Sequence, residues 1–279
     1  VSAHAPSGRR AHRRRQKVQA RLEAEGVGAA RASNWLAGLP ERYFESVKAQ
    51  RILVHAQLSL SRQAPVAVHV RAYEAKGHSE VTVLAPNRPG LLAGLAGVML
   101  AQRIDVMGAR IFSRVPVDKH DQGEALDVFW VRDRAGRAIA ADDDRWASVR
   151  AALDDVIAGT RRVEDLVEKS QRAAGVKLRV TPSVPTEIEI DNDASEDFTV
   201  IDVFTHDRLG VLYALTHALT ELGLDIGLAR IATEAERATD AFYVRDRERG
   251  TKITDDARLF AIIAALERAV ADLGAAGTP

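Results

Sequence analysis

Two stretches of this sequence combine residue types that could grip a small anionic molecule: Asn87-Arg88-Pro89-Gly90-Leu91-Leu92 and Asp207-Arg208-Leu209-Gly210-Val211-Leu212. In each, a short polar residue and an arginine precede a glycine, and two apolar residues follow it. A glycine lets the backbone approach a ligand closely. A helix opening behind it would turn unpaired amides and the positive end of its dipole toward a carboxylate. Asn87 and Asp207 suit two roles, capping that helix or accepting a hydrogen bond from a ligand amine. Arg88 and Arg208 read as exposed or interface residues rather than catalytic ones. The candidate ligand-contact set is therefore Asn87, Arg88, Gly90, Leu91 and Leu92 with Asp207, Arg208, Gly210, Val211 and Leu212.

Other chemistry is harder to build. A hydrolytic metal centre needs several His and Asp ligands converging from separate elements. The dipeptides His120-Asp121 and His206-Asp207 have no such company. His4, His12, His55 and His217 read as surface or helix residues. Asp142-Asp143-Asp144 suits the start of a helix, where negative charge is favoured, and Asp154-Asp155 has no partner set. No Gly-Ser motif followed by paired metal-binding acids is present, as a nucleotidyltransferase would require. Cysteine is absent, which removes disulfides, thiolate metal sites and a Cys nucleophile, and fits a reducing cytoplasm. The sequence holds no complete active site, and no metal or cofactor is expected in it.

These loops must be held by elements, and the order of elements repeats. Residues 201–231 align with 81–111 at a constant offset of 120, setting Gly210 on Gly90, Leu215 on Leu95, Asp225 on Asp105 and Ile231 on Ile111. The next strand matches at an offset of 113, setting Asp240, Phe242 and Val244 on Asp127, Phe129 and Val131. Seven extra residues therefore sit in the first copy, around Pro116 to Gln122, where a hairpin tolerates insertion. With the alternating segments Val66–Tyr73 and Thr186–Asp191 placed in front, each copy reads strand, strand, helix, strand, strand, helix. This is an α+β fold of two four-stranded antiparallel sheets, each with helices on one face. The sequence ends on the helix 256–273 with no closing strand. The leading strands are therefore expected to be shared, Thr186–Asp191 completing the first sheet and Val66–Tyr73 the second.

Ahead of the repeats, residues 1–62 form a helical segment: a helix near Arg9–Glu25, an apolar turn at Ala32–Leu39, the connector Leu39–Phe44 and a helix near Glu45–Ser61. The apolar residues of the first helix are sparse, so it is expected to lean on a partner outside this sequence. The net charge of zero conceals 12 Lys and Arg against 4 Asp and Glu in these 62 residues. Arg9, Arg10, Arg13, Arg14, Arg15 and Lys17 fit either a solvated helix face or an anion-binding surface. At 279 residues, 46% hydrophobic and 28% charged, the chain suits two domains and an appendage. No run approaches the roughly 18 apolar residues of a membrane span, so no membrane role is expected. The first residue, Val1, reads as the start of a segment of a longer chain.

A strand ending in Asn or Asp, then Arg, a turn residue, Gly and two apolar residues resembles the ACT domain, a ferredoxin-like regulatory module. The strands Ala125–Val131 and Ala238–Val244 resemble its Asp-x-Phe-x-Val strand. With Leu39-Pro40-Glu41-Arg42-Tyr43-Phe44 and the helix containing His55-Ala56-Gln57-Leu58, the whole resembles the C-terminal part of the bacterial bifunctional PII-protein uridylyltransferases. That resemblance implies ACT repeats at 66–165 and 184–275, after a remnant of a metal-dependent HD domain and a linker at 1–62. It implies a ligand that is glutamine or another amino acid, the PII signalling protein as partner of the parent enzyme, and Mg2+ or another divalent metal only in domains outside this sequence. ACT–ACT pairing within or between chains is a further implication, and nucleic acid is not an expected partner. The alternative is a standalone tandem-ACT binding protein or transcriptional regulator.

Overall fold

The computed structural model describes residues 7–118, 121, 123–174, 185–234 and 237–275. His4 and His120 lie outside the described residues. Two compact units divide the chain. One comprises Val1–His69, Thr82–Asn87 and Ile111–Asp127, the other Val70–Val81, Arg88–Arg110 and Val128–Pro279.

The first unit contains four helices, α1 (Ser7–Ala24), α2 (Ala29–Ala37), α3 (Glu41–Ser46) and α4 (Ala49–Ser61). The apolar stripe of α1 is short, Ala11, Val18 and Leu22, yet all three are buried, because α1 packs on α2, α3 and α4. A narrow stripe suffices where neighbouring helices supply the bulk, here Tyr43, Phe44 and Ile52. Helix α1 thus has apolar partners within the described residues. Arg14 adds a polar tie, donating to the carbonyls of Phe44, Glu45 and Val47 at 2.7, 2.8 and 3.0 Å and closing the end of α3. The apolar turn expected at Ala32–Leu39 is mostly helix α2.

After the helices the chain runs β1 (Ala67–Tyr73), β2 (His78–Ala85), α5 (Leu91–Ala101), β3 (Asp105–Arg114), β4 (Glu124–Arg132) and α6 (Arg145–Ala158). Helix α7 (Val163–Ala174) follows, then β5 (Glu187–Asp191), β6 (Thr199–His206), α8 (Val211–Glu221), β7 (Leu224–Glu234), β8 (Arg237–Asp246) and α9 (Asp256–Ala275). The ββαββα order thus occurs twice. Helix α7 was not read from the sequence, although Val163 and Val167 are buried one turn apart and Glu164 and Asp165 open it.

All eight strands form one sheet in the order β1-β2-β4-β3-β7-β8-β6-β5. The expected sharing of leading strands does not occur. β5 pairs antiparallel with β6 of its own repeat, Ile188 opposite Val203 and Ile190 opposite Ile201, and β1 neighbours β2. Local closure explains this. Gly77 reverses the chain at φ 67° between β1 and β2. Between β5 and β6 the Asp191 carboxylate accepts from the amides of Asp193 and Ala194 at 2.6 and 3.0 Å. A hairpin over a few residues costs less closure entropy than pairing across a hundred. In the second repeat β8 alternates strictly, burying Ala238, Asp240, Phe242, Val244 and Asp246 on one face. Helices α8 and α9 pack on one another, with Leu212, Leu215, Leu219, Ile262, Leu266 and Val270 buried.

Candidate functional site: the loop pocket of the second repeat

The turn at 207–210 carries the chain from β6 into α8. Gly210 takes φ 99°, a conformation that side-chain-bearing residues rarely adopt. The Val211 amide bonds back to the Arg208 carbonyl at 3.1 Å and that of Ala214 to the Gly210 carbonyl at 2.9 Å. Between them, the amides of Leu212 and Tyr213 meet no backbone acceptor among the described residues. The first repeat has the same arrangement. Gly90 sits at φ 75°, Leu91 bonds to Arg88 at 3.2 Å and Gly94 to Gly90 at 2.9 Å.

Neither Asn87 nor Asp207 caps its helix, since the glycines hold the N-cap positions. Asn87 donates instead to the Ser113 hydroxyl at 3.2 Å. Asp207 accepts from the hydroxyl of Thr233, the residue 120 positions after Ser113. The arginines are held by the second helix of each repeat. Arg88 donates to the carbonyls of Val156, at 2.7 Å, and Ile157 at the end of α6. Arg208 donates to Val270 in α9, and Val270 is Ile157 shifted by 113. Leu91, Leu92, Val211 and Leu212 are all buried.

The two loops form no joint site. Helices α5 and α8 pack together, and a Cβ built on Gly90 would meet Thr220 at 3.1 Å while one on Gly210 would meet Leu100 at 3.4 Å. The start of each helix therefore abuts the end of the other, which places the loops roughly 16 Å apart along helices of this length.

At the Gly210 end this packing leaves a pocket. Asp207, Leu212 and Tyr213 line it from the loop and α8, Leu100 and Asp105 from the first repeat, and Asp240 from β8. Its free space is about 30 Å3, enough for roughly one or two waters. Three carboxylates with different partners thus face one small space. Asp105 is paired with Arg132 at 2.7 Å. Burial raises the pKa of Asp207, and the Asp105 charge adds to the rise. Burial lifts Asp240 to about 7, with Asp207 contributing. One Asp240 oxygen has no hydrogen-bond partner. Acidic residues together with a helix start whose first amides lack backbone acceptors suit a molecule with an ammonium and a carboxylate. Among the described residues no group of three or more His, Asp or Glu side chains is placed to hold a metal ion.

Known proteins resemble this chain along most of its length. Residues 187–273 match the ACR9-like, ACT-like domain family. A bifunctional uridylyltransferase/uridylyl-removing enzyme of Azospirillum brasilense is 37% identical over 268 residues, 93% of this chain and 28% of that protein. This chain is homologous to those enzymes. The enzymes of the same name from Phenylobacterium zucineum and Caulobacter vibrioides are 33% and 32% identical over 86% and 88% of the chain. The chain spans about a quarter of the length of these uridylyltransferase relatives, 25% to 28%. A double-ringed trimeric shell protein of the RMM microcompartment aligns with 74% of the chain at a TM-score of 0.22 and 12% identity, too distant to bear on the fold. No helix among the described residues is long and apolar enough to cross a membrane.

Three pocket residues of this uridylyltransferase homologue were not singled out from sequence as site residues: Asp105, Tyr213 and Asp240. The signal available was the pair Asp127 and Asp240, acids at matched inward positions of otherwise apolar strands. Burial lifts Asp127 to about 8 against a backbone hydrogen bond from Phe112, as Asp240 is bonded by Ala232. Phe112 and Ala232 are again 120 residues apart.

Proposed function

We propose that this chain is the regulatory, amino-acid-sensing segment of a bifunctional PII uridylyltransferase/uridylyl-removing enzyme, with glutamine as ligand and the 207–213 pocket as its site. The observation that carries the reading is that Leu212 and Tyr213, whose amides have no backbone acceptor among the described residues, line one pocket with Asp207 and Asp240. The amides would take the ligand carboxylate and the acids its ammonium. The strand order supports a tandem of ferredoxin-like units at 66–165 and 184–275. Within each half, the leading strand takes the outer place that a closing strand would fill. The PII protein as eventual partner and the cytoplasm as location belong to the same reading, which the homology to uridylyltransferase/uridylyl-removing enzymes supports.

A pocket of about 30 Å3 is too small for an amino acid at rest, so entry requires the loop and α5 to part. Ligand then favours the parted arrangement over the closed one, and that difference in affinity is what transmits a signal. The test is a thermal-shift panel of the twenty amino acids on the purified chain. A rise in melting temperature confined to glutamine, and lost in Asp207→Asn, supports the assignment. An equal response to several amino acids would overturn glutamine as the ligand.

A further inference from the structure

Two buried polar atoms of the residues lining the 207–213 pocket have no hydrogen-bond partner among the described residues: Arg208 Nε and Asp240 Oδ1. The first is a donor on a cation and the second an acceptor on a carboxylate that is 2% exposed. Burying either unpaired is costly, so a matched pair of them on one small space asks for a molecule that serves both. Arg208 is fixed at its far end, where Nη2 donates to the Val270 carbonyl, which holds the planar guanidinium in place without using Nε. Arg88, the residue 120 positions earlier, bonds Val156 and Ile157 through both terminal nitrogens.

The charges around this pair decide what it accepts. Asp105 is paired with Arg132 at 2.7 Å. Asp207 and Asp240 are left with the one guanidinium of Arg208, so with both acids ionised the pocket carries negative charge in excess. Burial weighs on all three, raising the acids and lowering the arginine. The head group of an amino acid, one ammonium and one carboxylate, leaves the excess as it was. A side chain ending in a carboxylate adds like charge in a desolvated space, which is strongly disfavoured. A cationic side chain offers the Nε hydrogen no acceptor. A carboxamide is neutral, its carbonyl accepts from an N–H, and its NH2 donates to a carboxylate. Arg208, Val270 and the three acids all belong to one compact unit.

We propose that Arg208 is the specificity-determining residue of this pocket: its Nε–H donates to the side-chain carbonyl oxygen of the ligand, while the surplus carboxylate charge excludes acidic side chains, so that the site selects amino acids ending in a carboxamide. This rests on the amino-acid-sensing function proposed above and assigns the part of the ligand that distinguishes one amino acid from another. The bond to Val270 and the bond to the ligand use different nitrogens, so the same side chain anchors the loop and reads what enters it.

Calorimetric titration of the whole chain at pH 8.5, where the acids are ionised, tests this with L-glutamine, L-glutamate and L-norvaline, whose side chain is that of glutamine with a methyl in place of the carboxamide. Wild type is expected to bind glutamine about tenfold or more tighter than either of the others. Arg208→Lys keeps a cation that reaches the Val270 carbonyl but loses the planar Nε–H, and should bind glutamine and norvaline equally, with norvaline within about twofold of its wild-type affinity. Parallel weakening of both ligands, with their ratio unchanged, would mean that Arg208 only holds the loop and overturns the proposal. Asp240→Asn removes the surplus charge and should raise the affinity for glutamate relative to glutamine by about tenfold. Continued exclusion of glutamate overturns the charge argument. These two comparisons, and that of glutamine with norvaline in wild type, decide the matter even if Arg208→Lys fails to fold. No saturable heat with glutamine in wild type sinks the sensing function and the proposal with it, whereas glutamine binding with no preference over norvaline sinks the proposal alone.

Discussion

The guanidinium of Arg208 donates to the carbonyl oxygen of Val270, just as that of Arg88 does to Ile157. Both arginines belong to loops proposed to bind a ligand, and both tie the loop to the second helix of the repeat. Arg88→Met and Arg208→Met should each destabilise the chain, by about 1–3 kcal/mol for a charged donor lost from a partly buried carbonyl. Arg88, with the Val156 carbonyl as a second acceptor at 2.7 Å, should cost more. Urea unfolding measures this. Arg208 also lines the pocket, so titration of glutamine onto folded Arg208→Met should show weakened affinity, whereas folded Arg88→Met should keep that of wild type.

The abutment of Gly90 on Thr220 predicts a specific rescue. Gly90→Ala places a methyl 3.1 Å from Thr220 Cγ2 in addition to the roughly 1–2 kcal/mol for a left-handed residue. Thr220→Ser removes the opposing methyl and should recover part of the loss, a coupling of about 0.5 kcal/mol or more in a double-mutant cycle. The same Thr220→Ser change should not help Gly210→Ala, whose neighbours are Leu100 and Leu273. Equal rescue of both would contradict the packing described.

The buried acids Asp127 and Asp240 set a pH dependence. Their folded pKa values, about 8 and about 7, lie above that of an unfolded Asp, so the folded state binds more protons. Their contribution to stability is full below about pH 4 and is lost as pH rises toward 7 to 8. Asparagine keeps the shape without ionising. Asp127→Asn should therefore gain stability over wild type near pH 8.5, by an amount on the order of a few kcal/mol, and differ little near pH 4.5. His55 acts in the opposite sense. Burial lowers it to about 3, so its contribution is lost as pH falls below about 6.5. Melting temperatures of Asp127→Asn and wild type across this range would show the crossing.

Much of this fold was legible because its signals are local. The glycine turns, the offsets of 120 and 113 and the alternation of β8 all lie within short windows, and the strands and helices read from sequence in the repeats lie near their expected bounds, whereas the connector expected at Leu39–Phe44 is largely helix α3. What escaped was non-local. Pairing of β5 with β6 depends on which strands meet, and hydropathy alternation is silent on that. Helix α7 carries only two buried valines in a charged stretch. Asp105 enters the pocket from an element about a hundred residues before Asp207, so no spacing rule connects them. Asn87 and Asp207 looked like caps from their residue types, but the glycine took that position and left both side chains to Ser113 and to Thr233.

The central claim is that an amino acid binds at the Gly210 end of the α5–α8 pair. Calorimetric titration of the purified chain with L-glutamine tests it most directly, comparing wild type, Gly210→Val and Gly90→Val, each first shown to be folded by circular dichroism. Saturable heat in wild type that persists in Gly90→Val and vanishes in Gly210→Val is the predicted result. Heat that persists in Gly210→Val, or that vanishes only in Gly90→Val, would contradict it.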